Sequence, residues 1–561
     1  MLIRGYKIID IKISKQFVAD QPFELGPYNC GEWENGGLPW WLILDKDIEM
    51  RTYDKRYITA VKMWFDVLLP KLVPYLRKNG GPVLMVQLEN EYGSYYACDQ
   101  NYTSWLSALI QSHFGKDIVQ YTTDGPGDSY LKCGTIPGVY PTIDFGPSKI
   151  EEIDSYFAAQ RRFANKGPLV NSEFYPGWIV LWGQTKQVIP PIMEFMESAI
   201  YMYKLGASFN YYMFAGGTNF GFWNGAEVAA PVITSYDFTA PISEAGDITP
   251  KYIAIRDWLE TVSDWPNRPT DIPENNPKIG YGEVNLRRLT EISDHRAIAQ
   301  FSRCIKSTYP KSFEDIHHPL GFVLYSTKLK IVGSNLTIPL IKDHGFTFLD
   351  GKLQEVFVNI LGNYSKNWMI IKNAMIGSNL VILVENRGRQ TYETINDFKG
   401  ILSNVTLDGH ILDDWVQCGI TLKAIYRQLR RPGRNIFYRQ LNRAKTIKNN
   451  EKNNPGVYVG TFKANPVVDT FFDPTGWGKG QVMINGFNIG RYWPSLGPQV
   501  TLYIPAPILR RNNIIILLEL EYAGNCITNQ CKINFIDHPV FNFTDNPYHV
   551  EQYMKKTIGN A

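Results

Sequence analysis

No stretch of the 561-residue chain stays apolar long enough to cross a bilayer, so no membrane span is expected. The seven cysteines, at positions 30, 98, 133, 304, 418, 526 and 531, show no metal-ligand spacing. No Gly-rich phosphate loop follows any candidate strand. Metal- and nucleotide-dependent chemistry are therefore disfavoured, and no cofactor is expected. Net charge is only +3, and it is unevenly placed. Between Lys423 and Lys452 ten Lys/Arg face one acid, Glu451, so this stretch carries +9 and the remainder −6. A mildly acidic protein has no global nucleic-acid footprint. The stretch 423–454 reads as an exposed insertion, with a heparin or nucleic-acid patch as the sharper alternative. There is no internal repeat. Residues Met1 to Asp20 lack the apolar core, about 7–15 residues long, of a signal peptide.

The length calls for two to four domains. Composition is globular, 44% hydrophobic and 20% charged, with 14% aromatic residues that suit sugar binding and large β-rich cores about equally. Five glycosylation sequons begin at Asn101, Asn335, Asn363, Asn404 and Asn542. Five together favour a secreted or lysosomal route, where disulfides persist. That conflicts with the missing signal peptide, so the start of the chain reads as incomplete or replaced.

From Pro27 to Trp258 short apolar strands (Val83–Leu88, Ile118–Thr122, Thr142–Phe145, Pro168–Asn171, Phe209–Phe214) alternate with helical stretches (Tyr57–Arg77, Tyr102–His113, Ile150–Ala164, Ile192–Leu205). Such alternation means βα units and a parallel sheet. Glu91, Asp124, Asp144, Glu173 and Asn210 or Tyr212 stand at strand ends, a polar rim that suits a (β/α) barrel over residues 1–265. Prolines 266, 269, 273 and 277 mark a linker over 266–285. Beyond it short strands take over, such as Gly321–Ser326, Leu380–Glu385, Gln481–Ile484, Val500–Ile504 and Ile514–Leu520, with an Asn485-Gly486 turn. Two β-sandwich or jelly-roll domains are expected, at 286–400 and 401–545, followed by a tail over 546–561.

Two apolar runs ending in glutamate carry the chemistry. One is Val83-Leu-Met-Val-Gln-Leu-Glu-Asn-Glu-Tyr-Gly93, the other Gly167-Pro-Leu-Val-Asn-Ser-Glu-Phe-Tyr175. Continuous apolar runs bounded by Gly and Pro read as strands covered on both faces. Two carboxylates at two strand ends are the equipment for cleaving a glycosidic bond. A lone strand-end Glu is more often a solvated or paired rim residue; both motifs in order reverse that preference. Periodicity alone cannot choose Glu91 over Glu89, since both face one side of an ideal strand.

These segments, with Gly26-Pro-Tyr-Asn-Cys-Gly-Glu-Trp-Glu-Asn-Gly-Gly-Leu-Pro-Trp-Trp41, Tyr212-Met-Phe-Ala-Gly-Gly-Thr-Asn-Phe220, Thr234-Ser-Tyr-Asp-Phe238, Asn396-Asp-Phe-Lys-Gly400 and Lys479 to Trp493, closely resemble the acid β-galactosidases of glycoside hydrolase family 35. The resemblance covers nearly everything from Gly26 to about Phe535. It implies that Glu91 is the general acid/base and Glu173 the nucleophile of a retaining exo-β-galactosidase. It further implies that Asn90 holds the sugar 2-hydroxyl, Glu32 grips galactose hydroxyls, Tyr212 bonds the nucleophile and Trp178 lines the pocket. For Glu32 a structural salt bridge is the plain alternative, for Tyr212 a satisfied core hydroxyl; Trp33, Trp40 and Trp41 read as packing. Cys98 with Cys133 and Cys526 with Cys531 match family disulfides, Cys30 reads as a free buried thiol, and Cys304 and Cys418 have no assignment. Expected partners are β-galactoside glycans, with no nucleic acid and with a homodimer as one available assembly.

Two departures bear on activity. The resemblance implies two further barrel strands before Gly26, where only 25 residues stand. The sequence therefore reads as barrel strands three to eight, with the third poorly formed around Gln16–Leu25 and weak or absent turnover for a chain starting at Met1. Phe238 stands where the family usually has a sugar-contacting tyrosine, a loss of about 1 kcal/mol or more of binding. The competing functions are a non-catalytic carbohydrate-binding scaffold and an exo-glycosidase for another sugar.

Overall fold

The computed structural model describes residues 21–227, 230–263, 269, 271–360, 364–392, 396–430, 455–524, 526 and 531–543. Asn363, residues 431–454 of the basic stretch and the tail lie outside them. Six parallel strands run in sequential order: β1 (Gln21–Glu24), β2 (Val83–Gln87), β3 (Val119–Asp124), β4 (Tyr140–Asp144), β5 (Val170–Phe174) and β6 (Ser208–Tyr211). The helices between and after them are α1 (Lys55–Leu72), α2 (Gln100–Phe114), α3 (Asp128–Gly134), α4 (Ile150–Phe163), α5 (Ile192–Lys204) and α6 (Pro250–Thr261). Sequential parallel order with intervening helices is the winding of a (β/α) barrel, the architecture the alternating pattern implies.

Local sequence accounts for the main elements. Strand β2 follows Gly80-Gly81-Pro82, and β5 follows Gly167-Pro168, so each starts at a break in helical geometry. Helix α1 opens on Asp54, whose side chain accepts from the Arg56 amide. Its buried stripe Tyr57, Val61, Phe65, Leu69 repeats every four residues against β2 and α2. Pro74 stops it short of the expected Arg77, and two 3-10 turns fill the gap. Helix α2 is capped by Asp99, which accepts from the Asn101 and Tyr102 amides.

Two antiparallel assemblies follow. A seven-stranded sheet built from 302–307, 322–328, 344–349, 352–360, 364–366, 379–385 and 415–420 packs on a four-stranded one, with Leu336, Phe357, Ile382 and Trp415 between them. An eight-stranded sheet takes strands from 456 to 536 and also Gly282–Glu291, which pairs with Gly456–Lys463 and Cys531–Ile536. Sheet pairing thus cuts across the boundaries expected at 286 and 400. The strand after the linker belongs to the last sheet, and Trp415–Ile420 belongs to the first. Pairing partners more than 160 residues apart leave no local trace in sequence.

The three units share buried contacts. Val180, Trp182 and Ile233 from the barrel region join a core with Phe346, Leu383, Trp493 and Leu518. Arg389 forms ion pairs with Glu34 of the barrel and with Glu314, all three buried. Arg491 donates to Glu385 at 2.8 Å and to Asn224 Oδ1 at 3.1 Å. Disulfides link Cys98 to Cys133, Cys526 to Cys531 and Cys304 to Cys418, the last across directly paired strands; Cys30 is free and buried. Among the described residues no helix is long and apolar enough to cross a membrane.

Candidate active site

The carboxyl ends of β2 to β5 bring the candidate acids together. Beyond β2 the chain leaves strand geometry: Glu89 and Glu91 both take left-handed backbone angles, φ 58° and 45°. The Glu89 amide bonds Gly26 O on one side, the Glu91 amide Thr123 O on the other. This separates two glutamates that an ideal strand would align. The Glu89 side chain is buried and fully engaged, paired with Arg51 at 2.8 Å and accepting from Tyr102 at 2.7 Å. Among the described residues the Glu91 carboxyl has no such bonded partner. Burial raises its pKa, opposed by Arg51 and reinforced by Glu227. Between the two, Asn90 is buried and its side-chain oxygen accepts from Gln87 at 2.9 Å.

Asp124 and Asp144 close β3 and β4. Asp124 accepts the Gly93 amide at 2.7 Å, and each of the two acids has a buried Oδ2 with no hydrogen-bond partner among the described residues. Burial holds both carboxyls well above the usual range, and Glu91 raises both further. Glu173 lies opposite Asp144 in the parallel register of β4 and β5. The Tyr175 hydroxyl donates to Glu173 Oε2 at 3.1 Å, and the same hydroxyl lies in the field of Asp144 and of Glu91. One tyrosine therefore sits among Glu173, Asp144 and Glu91.

Glu32 also takes a left-handed angle, φ 50°, which turns it out of its loop. It accepts from the Tyr236 hydroxyl and, at 3.7 Å, from the Cys30 thiol. Its partners are thus neutral donors, not the cation of a salt bridge. Burial pushes it up to about 7, relieved by Tyr236 and aggravated by Glu227 and Glu91. The Tyr212 hydroxyl lies 3.5 Å from that of Tyr236.

An aromatic wall borders these acids. Phe238 is its hub, with ring centroids at 5.5 Å from Tyr236, 5.9 Å from Tyr212, 6.0 Å from Trp178 and 6.4 Å from Tyr175. Trp178 stands 45% exposed, its ring perpendicular to that of Tyr175. Trp33, expected to pack, is instead 50% exposed beside Trp223. Tyr392, from the seven-stranded unit, interacts with Ser94 and lies in the field of Glu91 and Cys30.

All six site residues expected from sequence (Glu91, Glu173, Glu32, Asn90, Tyr212 and Trp178) lie on these strand ends and loops. Sequence reasoning missed Tyr175, Tyr236 and Tyr392. Tyr175 stands two residues after Glu173 and Tyr236 two before Phe238, both inside recognisable motifs, so only the direction of their side chains was hidden. Tyr392 is distant in sequence and had no signal. Among the described residues no cluster of His, Cys, Asp and Glu could hold a metal ion.

A family model described as "Glycosyl hydrolases family 35" matches residues 23–262. Models for the "first all-beta domain" and the "galactose-binding domain" of beta-galactosidase match 310–421 and 455–513. The beta-galactosidase of Felis catus is 42% identical over 546 residues, covering 93% of this chain and 79% of its own. That of Homo sapiens is 42% identical over 556 residues, covering 95% and 80%. The beta-galactosidase-1-like protein of Mus musculus is 38% identical over 533 residues, covering 92% and 78%.

Proposed function

The chain belongs to family 35 of the glycosyl hydrolases and is a glycoside hydrolase, and on that premise we propose that it releases terminal non-reducing β-D-galactose from glycoconjugates by double displacement. The observation that carries this reading is the Tyr175 hydroxyl, bonded to Glu173 and within the field of Glu91. It supports a shared pocket for the two strand-end glutamates.

Glu91 is the acid. Its raised pKa keeps it protonated where an ordinary carboxyl ionises, so it can protonate the leaving oxygen. Glu173 is the nucleophile: the Tyr175 donor, with Tyr212 beside it, orients its carboxylate for attack on the anomeric carbon. Once Glu173 is glycosylated its charge is gone, Glu91 ionises more readily, and it then serves as base for the incoming water. Asn90 holds the 2-hydroxyl, Glu32 with Tyr236 takes further hydroxyls, and Trp178 packs on the sugar's C–H face. The relatives' name supports galactose as the sugar. Exposed Asn101, Asn335, Asn404 and Asn542, together with three disulfides, support a lysosomal or secreted setting.

Purified protein and an aryl β-galactoside at acid pH test the reading. Hydrolysis abolished in Glu173→Gln is expected. Binding of galactose without hydrolysis would favour the scaffold alternative, and preference for another glycoside would move the sugar assignment.

A further inference from the structure

We propose that Lys251 is a positioning residue for the sugar pocket, holding its two aromatic walls in register through one buried ammonium group. Trp178 is carried by the loop after β5 and Phe238 by the turn 237–239; among the described residues no regular element joins these two segments, which touch directly through a long bond from Thr239 Oγ1 to Pro176 O at 3.4 Å. Lys251 joins them. Its side chain is buried, and Nζ donates to Pro176 O, to Thr239 O at 2.9 Å and to Thr239 Oγ1 at 3.0 Å. An ammonium has three donors, and all three are spent on these two segments.

The surroundings show that the contact is close. A Cβ added at Gly177 would meet Thr239 Oγ1 at 2.0 Å and Phe238 O at 2.1 Å, so the walls approach to a distance only glycine permits. Phe238 and Thr239 both occupy left-handed backbone, φ 60° and 50°, a conformation that side-chain-bearing residues hold only when their surroundings impose it. Asp237 imposes part of it, accepting the Thr239 amide at 3.2 Å and the Glu244 amide at 2.7 Å. Lys251 holds the same turn through the Thr239 carbonyl and hydroxyl.

Its place in the fold argues against simple helix packing. Lys251 is the second residue of α6, where a cation opposes the helix dipole. Burial also disfavours its charge, with Asp237 the nearby compensation. A helix needing only an apolar contact there would be better served by Met or Leu. The ammonium is explained by the two loops it ties.

This inference rests on the proposed galactosidase reading, and the test separates the two. Lys251→Met keeps the length, removes the donors and leaves the Thr239–Pro176 bond in place; Thr239→Val removes one Lys251 acceptor together with that 3.4 Å bond, with no change in buried charge. Steady-state kinetics on an aryl β-galactoside is combined with amide hydrogen exchange. In Lys251→Met, KM is expected to rise about 10-fold with kcat changed less than about 3-fold, the mark of lost positioning in ground and transition state alike. Peptides around 174–182 and 234–242 should both exchange about 10-fold faster, with β2 and β3 unchanged. Thr239→Val should show the same pattern, weaker. Unchanged KM and unchanged exchange in both loops, in either variant, would overturn the role while leaving the galactosidase reading intact. Exchange accelerated throughout the barrel would also overturn it, since that marks a residue needed only for stability. A wild-type protein that neither binds nor cleaves galactosides defeats both.

Discussion

Two sets of buried carboxyls in this molecule meet opposite fates. Where the two β units meet, Glu385 lies between Lys479 at 2.6 Å and Arg491 at 2.8 Å, and its pKa is lowered despite burial. Asp397 is likewise lowered, by Lys399 and Lys342. At the strand ends, half-buried Glu91 and fully buried Asp124 and Asp144 have no bonded cation among the described residues. They lie beside one another and beside tyrosines, and all are raised. The residue type is the same; the partner decides. Cations favour the ionised form in the first set, which anchors the structure, whereas their absence and burial favour the protonated form in the second. Glu89 and Glu91 repeat the contrast within one loop, since Arg51 engages Glu89.

The largest effect should come from the reactive set. Glu91→Gln is expected to lower kcat for a substrate with a poor leaving group by about 10²–10⁴, with melting temperature nearly unchanged. The anchoring set should behave in reverse. Arg389→Met leaves Glu34 and Glu314 buried without their shared cation, and should cost about 3–5 kcal/mol in denaturant unfolding. Asp144→Asn, which replaces a carboxyl whose charge is disfavoured by burial, should cost less than about 1 kcal/mol.

The pH dependence of stability follows from the same contrast. Glu32 and Glu244 are raised to about 7 and Glu519 to about 8, so between about pH 6.5 and 7.5 the folded state binds more protons than the unfolded. Stability must then fall as pH rises through that window, by about 2 kcal/mol, readable as a lower melting temperature at the upper end. Nearer pH 8 Lys251 and Lys479, lowered to about 8 by burial, lose protons in the folded state and oppose the trend. Below the window the shifts of His318 and His344, both lowered by burial, oppose it as well. The smallest effect is expected from Phe238→Tyr, which restores a hydroxyl at the centre of the aromatic wall and should lower KM by a factor of about 5.

How much of this was legible in the sequence depends on how local the cause is. Strands β2 and β5 show as apolar runs set off by Gly and Pro, and helices α1, α2, α4 and α5 by their periodicity. The choice between Glu89 and Glu91 was not legible from alternation, because left-handed turns at both positions end the strand pattern. Arg51, which engages Glu89 and not Glu91, lies 38 residues before its partner. The pairing of Cys304 with Cys418 spans 114 residues and depends on strand register. Gly282–Glu291 has no strand reading in the sequence, its first four residues falling in the expected linker, and which sheet receives it is decided by partners beyond residue 455. Tyr175 and Tyr236 sit in recognisable motifs, but their hydrogen bonds to Glu173 and Glu32 required coordinates.

For the proposed hydrolysis, Glu91 and Glu173 must act on one sugar from two sides. Incubation with 2-deoxy-2-fluoro-β-galactosyl fluoride, followed by proteolysis and mass spectrometry, reads this directly. A fluorogalactosyl adduct on the peptide bearing Glu173, formed at nearly the wild-type rate in Glu91→Gln because fluoride leaves without acid assistance, is the predicted result. Hydrolysis of galactosides with no adduct at Glu173, or an adduct on another carboxylate, would contradict it.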